Sequence, residues 1–159
     1  MAAPVHPFTT FNFSIEINRG TDGKPLVDAA FSECDGLEQT MEVKTIRQGG
    51  GNDRQIRLSG PVAYGQLTLK RGMTANFDLW TWFKDSVADP RLRADADVVL
   101  LGTDGSSERA RFRLTRCLPT KIKAPALNAK DGQIAIEELQ LVYETLEFVP
   151  PKTTASPTP

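Results

Sequence analysis

The chain has 159 residues and a mass of 17.5 kDa, enough for one domain and awkward for two. Hydrophobic residues at 40% and charged residues at 25% suit an ordinary globular domain, and a net charge of −1 gives no whole-chain field for nucleic acid or an anionic membrane. Two cysteines, Cys34 and Cys117, fit no CxxC or metal spacing and are too few for a disulfide scaffold, so they read as reduced, semi-buried thiols, with a single disulfide between them as the alternative.

The opening Met1-Ala2-Ala3-Pro4-Val5-His6-Pro7 has no basic stretch and no apolar one, so no secretory signal is expected. Phe11, Phe13, Ile15 and Ile17 alternate with Asn12, Ser14 and Glu16, the period of a strand with one buried face. Asp22-Gly23 centres a turn, Leu26–Cys34 reads as extended, and Met41 and Val43 alternate with polar residues in a further strand. Gly49-Gly50-Gly51-Asn52-Asp53 has too much backbone freedom for a rigid element. Arg54–Leu58 alternates again, so Glu38–Leu58 reads as a long hairpin-like arm with a mobile tip, ended by Gly60-Pro61. Tyr64–Arg71 is a strand with Leu67 and Leu69 on one face.

One helix is expected over 76–87, with Phe77, Trp80, Phe83 (or Trp82) and Val87 at helical spacing. Thr74 or Asn76 is placed to cap it, and Asp89-Pro90 to end it. Val98–Leu101 reads as a strand buried on both faces. This longest apolar run falls far short of the ~20 residues that span a bilayer, so no membrane insertion of the monomer is expected. Asp104-Gly105 is a tight turn into a strand over Arg109–Cys117. Ile134–Phe148 fits a helix through Ile136, Leu139, Tyr143 and Leu146. It fits a strand equally if its parity flips once near Glu137-Glu138. The domain is taken as 1–149, and the proline-, threonine- and serine-rich 150–159 as a disordered tail.

No catalytic, cofactor or metal set is expected. His6 is the one histidine, and nothing positions it as a base. Gly49–Gly51 lacks the lysine and helix of a phosphate loop. The acidic groups Glu33/Asp35/Glu38 and Glu137/Glu138 read as solvated or as facing a neighbouring subunit. Arg109, Arg111 and Arg113 share one sheet face, which is either an exposed charged surface or one that meets acid on another copy or lines a channel. Trp80 and Trp82 lie about 200° apart on the helix and cannot both face one core, so one is either partly exposed or meets another subunit, and Trp82 is taken as a candidate contact.

Taken in order, several of these segments resemble the tail-tube proteins of contractile phages and contractile injection systems, which share the hemolysin-coregulated-protein fold. Phe11–Ile17 resembles the opening strand of that family. Phe31-Ser32-Glu33-Cys34-Asp35-Gly36-Leu37-Glu38, Arg47-Gln48-Gly49-Gly50-Gly51-Asn52, Leu67-Thr68-Leu69-Lys70-Arg71-Gly72 and Ile136-Glu137-Glu138-Leu139-Gln140-Leu141 resemble its later motifs, so the likeness spans Phe8–Phe148.

The resemblance implies a mainly β, barrel- or sandwich-like domain with one flanking helix, and the last element as strand. It implies a structural protein without enzymatic activity, whose hexameric rings stack into a hollow inner tube. Its partners would be its own copies, a contractile sheath and a baseplate or tube initiator, with effector cargo or DNA in the lumen. The protein would assemble in the bacterial cytoplasm and become part of a phage tail or a phage-tail-like particle. Candidate contacts between rings or subunits are Glu38, Glu42, Arg47, Gly49, Gly50, Gly51, Asn52, Arg54, Arg57 and Trp82. Thr145 stands where the family often has glycine, and the tail is long, so a tube-initiating ring at the baseplate is the alternative. A reading from a different class is a monomeric β-barrel module that binds a ligand.

Overall fold

The computed structural model describes residues 7–8, 12–19, 25–50, 54–130 and 132–151, with backbone alone for 25–29. The expected Asp22-Gly23 turn, Phe11, His6, Gly51–Asp53 and the tail beyond residue 151 lie outside the described residues. The chain is mainly β with one helix. Among the described residues ten strands run in the order β1 (Phe13–Asn18), β2 (Pro25–Ala29), β3 (Glu33–Asp35), β4 (Gln39–Arg47), β5 (Gln55–Tyr64), β6 (Gln66–Gly72), then α1 (Asp78–Ala88), β7 (Ala94–Leu101), β8 (Glu108–Lys123), β9 (Ile136–Val142) and β10 (Thr145–Val149). All pairings are antiparallel. The main sheet runs β2-β1-β7-β8-β9-β6-β3 with β10 added on β8, while β4 and β5 form a separate hairpin.

Strand β8 joins the two halves of the sheet. Up to Cys117 it pairs with β7 and β10, and from Leu118 it pairs with β9. The change of partner falls at Arg116, whose φ of 52° is left-handed, and whose N–H bonds the Asp95 carboxylate at 3.1 Å. Register slips on the facing strand between Ala94 and Ala96. A bulge of this kind bends a strand and lets it serve two sheet faces.

Between the halves lies one core. Ile15 and Ile17 of β1, Leu67 and Leu69 of β6, Leu114 of β8, and Leu139 and Leu141 of β9 meet there, and α1 adds Leu79 and Trp82. Each such side chain contributes ~1.5–3 kcal/mol by leaving water. The strand alternations read from Phe13–Ile17 and Leu67–Leu69 hold, and Val98 and Val99 are both buried.

Several expectations change. The helix spans 78–88, but its buried residues are Leu79, Trp82 and Ser86, while Phe77 and Val87 are exposed. Trp82 is wholly buried within its own protomer, so it is core and not a subunit contact. Neither Thr74 nor Asn76 is the N-cap, which is Phe77. Asn76 nevertheless accepts the Asp78 N–H at 3.0 Å from one position earlier. Gly60-Pro61 does not end the arm: β5 runs through it as a bulge, with two residues opposite the single Glu42. Gly60 is required there, because a Cβ would lie 2.6 Å from the Glu42 carbonyl oxygen.

The last segment is two strands, and parity does not flip at Glu137-Glu138. Glu137 points inward on the same face as Leu139 and Leu141, and Ile136 points out. The cause is Arg71 on the paired strand. Its guanidinium bonds Glu137 in a buried ion pair, Trp80 donates its indole N–H to the same carboxylate at 2.9 Å, and Arg71 also donates to the Asn76 carbonyl at 3.0 Å. A charge turned inward is tolerable only with such a partner. The pair ties the start of α1 to the sheet.

Candidate assembly surfaces

The β4–β5 hairpin is the most unusual surface of the chain. Cross-strand register places Met41, Val43 and Val62 on one face, and Ile46, Ile56 and Leu58 on the other. All six are between 42% and 54% exposed. A two-stranded hairpin with apolar side chains on both faces is marginal alone in water and needs a cover. Charge accompanies the apolar residues: residues 39–64 hold Lys44, Arg47, Arg54 and Arg57 against Glu42 and Asp53. Of the candidate contacts, Glu42, Arg47, Arg54 and Arg57 are exposed along this hairpin, with Gly49 and Gly50 at its turn. Gly50 has a φ of 98°, the left-handed conformation that glycine adopts without strain. Gly51 and Asn52 lie outside the described residues.

The hairpin leaves the body through a tightly built root. The Tyr143 hydroxyl, at the end of β9, donates toward the carbonyls of Gly36 and Glu38 at 2.9 and 3.0 Å, and accepts the Glu38 N–H at 3.2 Å. Its ring packs on Tyr64 at 5.8 Å between centroids. Gly36 has a φ of 107°, and a Cβ there would lie 1.9 Å from the Gln66 carbonyl oxygen. The Gly65 N–H bonds the Glu38 carbonyl at 3.1 Å. Glu38 therefore belongs to the root, and both arm strands are held at one point around a buried phenol. Sequence reasoning missed Tyr143, whose signal was only a place in the ambiguous last segment.

The arginine stripe does share a face on β8, but it is not free charge. Arg111 bonds Asp97 at 2.7 Å and Glu108 at 2.9 Å, and Arg113 bonds Asp97 at 3.2 Å. These bonds raise the pKa of Arg111 and lower that of Glu108. Glu147 of β10 stands opposite Arg113 in register. Arg109 is exposed nearer the turn. Paired in this way, Arg111 and Arg113 help to hold the β7–β8 face together.

The acidic groups divide. Glu137 is buried, whereas Glu33 and Asp35 on β3 and Glu38 at the root are exposed. Cys34 and Cys117 are free thiols, and burial raises each pKa to about 12, with Asp35 and Asp95 respectively adding to the shift. Neither thiol is poised as a nucleophile. A surface hollow of about 540 Å³ lies along Pro125–Ala129 and Gln133–Ile136, beside the strongly exposed Leu127 and Ile134.

Comparison with known proteins bears on these surfaces. A family model described as T4-like virus tail tube protein gp19 matches residues 9–147. No curated protein matches the chain. The fold matches a chain in the cryo-EM structure of the anti-feeding prophage baseplate, described as 6-fold symmetrised, at 26% identity and a TM-score of 0.76, covering 94% of this chain and 98% of that one. A chain in the sheath–tube complex of the PVC extracellular contractile injection system, in its extended state, matches at 18% identity and a TM-score of 0.77, covering 91% and 93%. Hcp1 from Flavobacterium johnsoniae matches at 13% identity and a TM-score of 0.52, covering 87% and 94%.

Proposed function

The chain belongs to the T4-like virus tail tube family, and from that premise we propose that six copies close into a ring, and that rings stack into a conduit held by the β4–β5 arm. It is a structural component of a phage tail or phage-tail-like particle and not an enzyme. The observation that carries the role of the arm is its surface. Six large apolar side chains are exposed on a hairpin that its own protomer holds through the root. Covering them on a neighbouring ring would supply the missing burial at each stacking step. In a symmetric assembly this contact is heterologous, one patch meeting a different one.

The same reading makes a contractile sheath the outer partner and a baseplate the starting platform, as in the assemblies whose chains share the fold. The domain is the whole of 1–149. Assembly would take place in the cytoplasm of the producing bacterium, and the lumen would pass DNA in a phage or hold effectors in an injection system. The 26% identity to a chain of a baseplate structure favours one second reading, a ring at the base of the tube that templates the first stacked layer.

Electron microscopy of the purified protein tests the proposal. Stacked rings or tubes support it, isolated rings support the basal reading, and a monomer at all concentrations overturns both. Deleting residues 49–52 should leave rings and folding intact while stopping growth; tubes of normal length from that variant would remove the arm from the mechanism.

A further inference from the structure

Helix α1 turns two polar side chains toward the core that meet no partner in their own protomer. Trp82 is wholly buried and Ser86 is 7% exposed, yet neither the indole N–H nor the hydroxyl makes a hydrogen bond within the chain. The Nε of Arg19, just past the end of β1, is a third such atom. Among the described residues these three are the buried side-chain nitrogens and oxygens without a partner. A polar group left unpaired in a core is destabilising, so the three together need a physical account.

They converge on one stretch of the helix. Trp82 and Ser86 are one turn apart on the same buried face, a spacing that puts Cβ atoms about 5–6 Å from each other. Arg19 is held beside them, because its Nη2 donates to Asp85 at 2.7 Å. Asp85 directly precedes Ser86 and lies about 60° from Trp82 around the helix. Local bonding does not serve the hydroxyl of Ser86. Thr81, the other hydroxyl of α1, donates back to the Phe77 carbonyl at 3.2 Å, and Ser86 makes no such bond.

The chemistry of the set calls for a small neutral acceptor. The indole and the Arg19 Nε can only donate, whereas Ser86 can donate or accept. Arg19 already has its counter-charge in Asp85, so a second anion would leave an excess negative charge at a buried indole. Water meets the requirement: its oxygen accepts from Trp82 and Arg19, and one of its protons goes to Ser86, the three bonds typical of an interior water. We infer that a water molecule is bound between Trp82, Ser86 and Arg19 as part of the fold. It seats the second half of α1 on the body, as the bonds among Arg71, Glu137 and Trp80 seat the first. The helix is thereby fixed near both ends, and its exposed residues Phe77, Thr81 and Lys84 are presented at a set angle. The site is independent of how copies of the chain assemble.

A crystal structure at a resolution that shows ordered water tests the site directly. One peak should lie within about 2.7–3.2 Å of all three atoms. No peak there, or direct bonds among the three side chains in its place, overturns the inference. An anomalous peak at that point after soaking in bromide overturns it as well, because the ligand is then a halide. Ser86→Ala gives an independent readout in thermal unfolding. With water bound, the change removes one of its partners and should lower the melting temperature by about 2–4 °C. If the hydroxyl is merely unpaired, its removal leaves the melting temperature unchanged or raises it, and that result speaks against the water. Combining Ser86→Ala with Trp82→Phe should lower the melting temperature by clearly less than the sum of the two single losses, since either change alone already weakens the shared water. Strictly additive losses overturn the sharing.

Discussion

Replacing Glu137 with alanine should be among the most damaging single changes in the chain. Glu137 and Arg71 have side chains only 1% and 3% exposed, and the carboxylate also accepts the Trp80 indole N–H at 2.9 Å. Removing it leaves a buried guanidinium without its counter-charge and an indole N–H without its acceptor. Breaking one side of a buried ion pair costs about 3–5 kcal/mol, a large part of the roughly 5–15 kcal/mol that holds a domain together. Glu137→Gln keeps the shape and one acceptor but loses the charge, and should fall between alanine and wild type. The double change Arg71→Met with Glu137→Leu removes both charges and should be far less harmful than either loss alone. Urea unfolding followed by tryptophan fluorescence measures this. With a slope of about 1–3 kcal/mol per molar urea, Glu137→Ala should lower the midpoint by at least about 1 M. A Glu137→Ala protein within about 1 kcal/mol of wild type, or a double variant worse than the sum of the two single losses, would refute the argument.

Tyr143→Phe keeps the ring packing but orphans backbone groups of Gly36 and Glu38, so it should cost about 1–3 kcal/mol by urea unfolding and shorten or abolish tubes in electron micrographs. At Arg116, with its φ of 52°, glycine should be tolerated and valine should lower the melting temperature by several degrees more than glycine does, since a β-branched residue resists that conformation. Asp104 accepts bonds from the Ser107 N–H and hydroxyl and from the Ser106 N–H, which lower its pKa from 3.8 to about 2. A depressed folded-state pKa means that its stabilisation is present above pH 3.8 and fades as pH falls toward 2, so Asp104→Asn should flatten the loss of stability between those values in acid titrations followed by circular dichroism. Both thiols, with pKa about 12, should react with a disulfide reagent at pH 8 on the order of 10³-fold more slowly in the native protein than in urea; rapid native labelling of both would contradict their burial.

Strands whose alternation is local can be read from the chain directly. Phe13–Ile17, Leu67–Leu69 and the turn at Asp104-Gly105 were legible because side-chain period and turn chemistry act over a few residues. The existence of the arm was legible too, from a glycine run between two alternating stretches, and so was the family, from motifs in order. Tertiary structure decided which face of an element is inside. Two tryptophans on opposite sides of α1 are equivalent in sequence, and only the packing of the helix on the sheet buries Trp82 and leaves Trp80 to bond Glu137. Glu137 turns inward against its charge because Arg71, 66 residues away, lies on the paired strand. Arg111 and Arg113 likewise meet Asp97 only through the β7–β8 register. Tyr143 holds Gly36 and Glu38 across more than 100 residues of chain. Local pattern reports what an element can bury, whereas charge compensation and anchoring depend on partners that only the folded chain brings together.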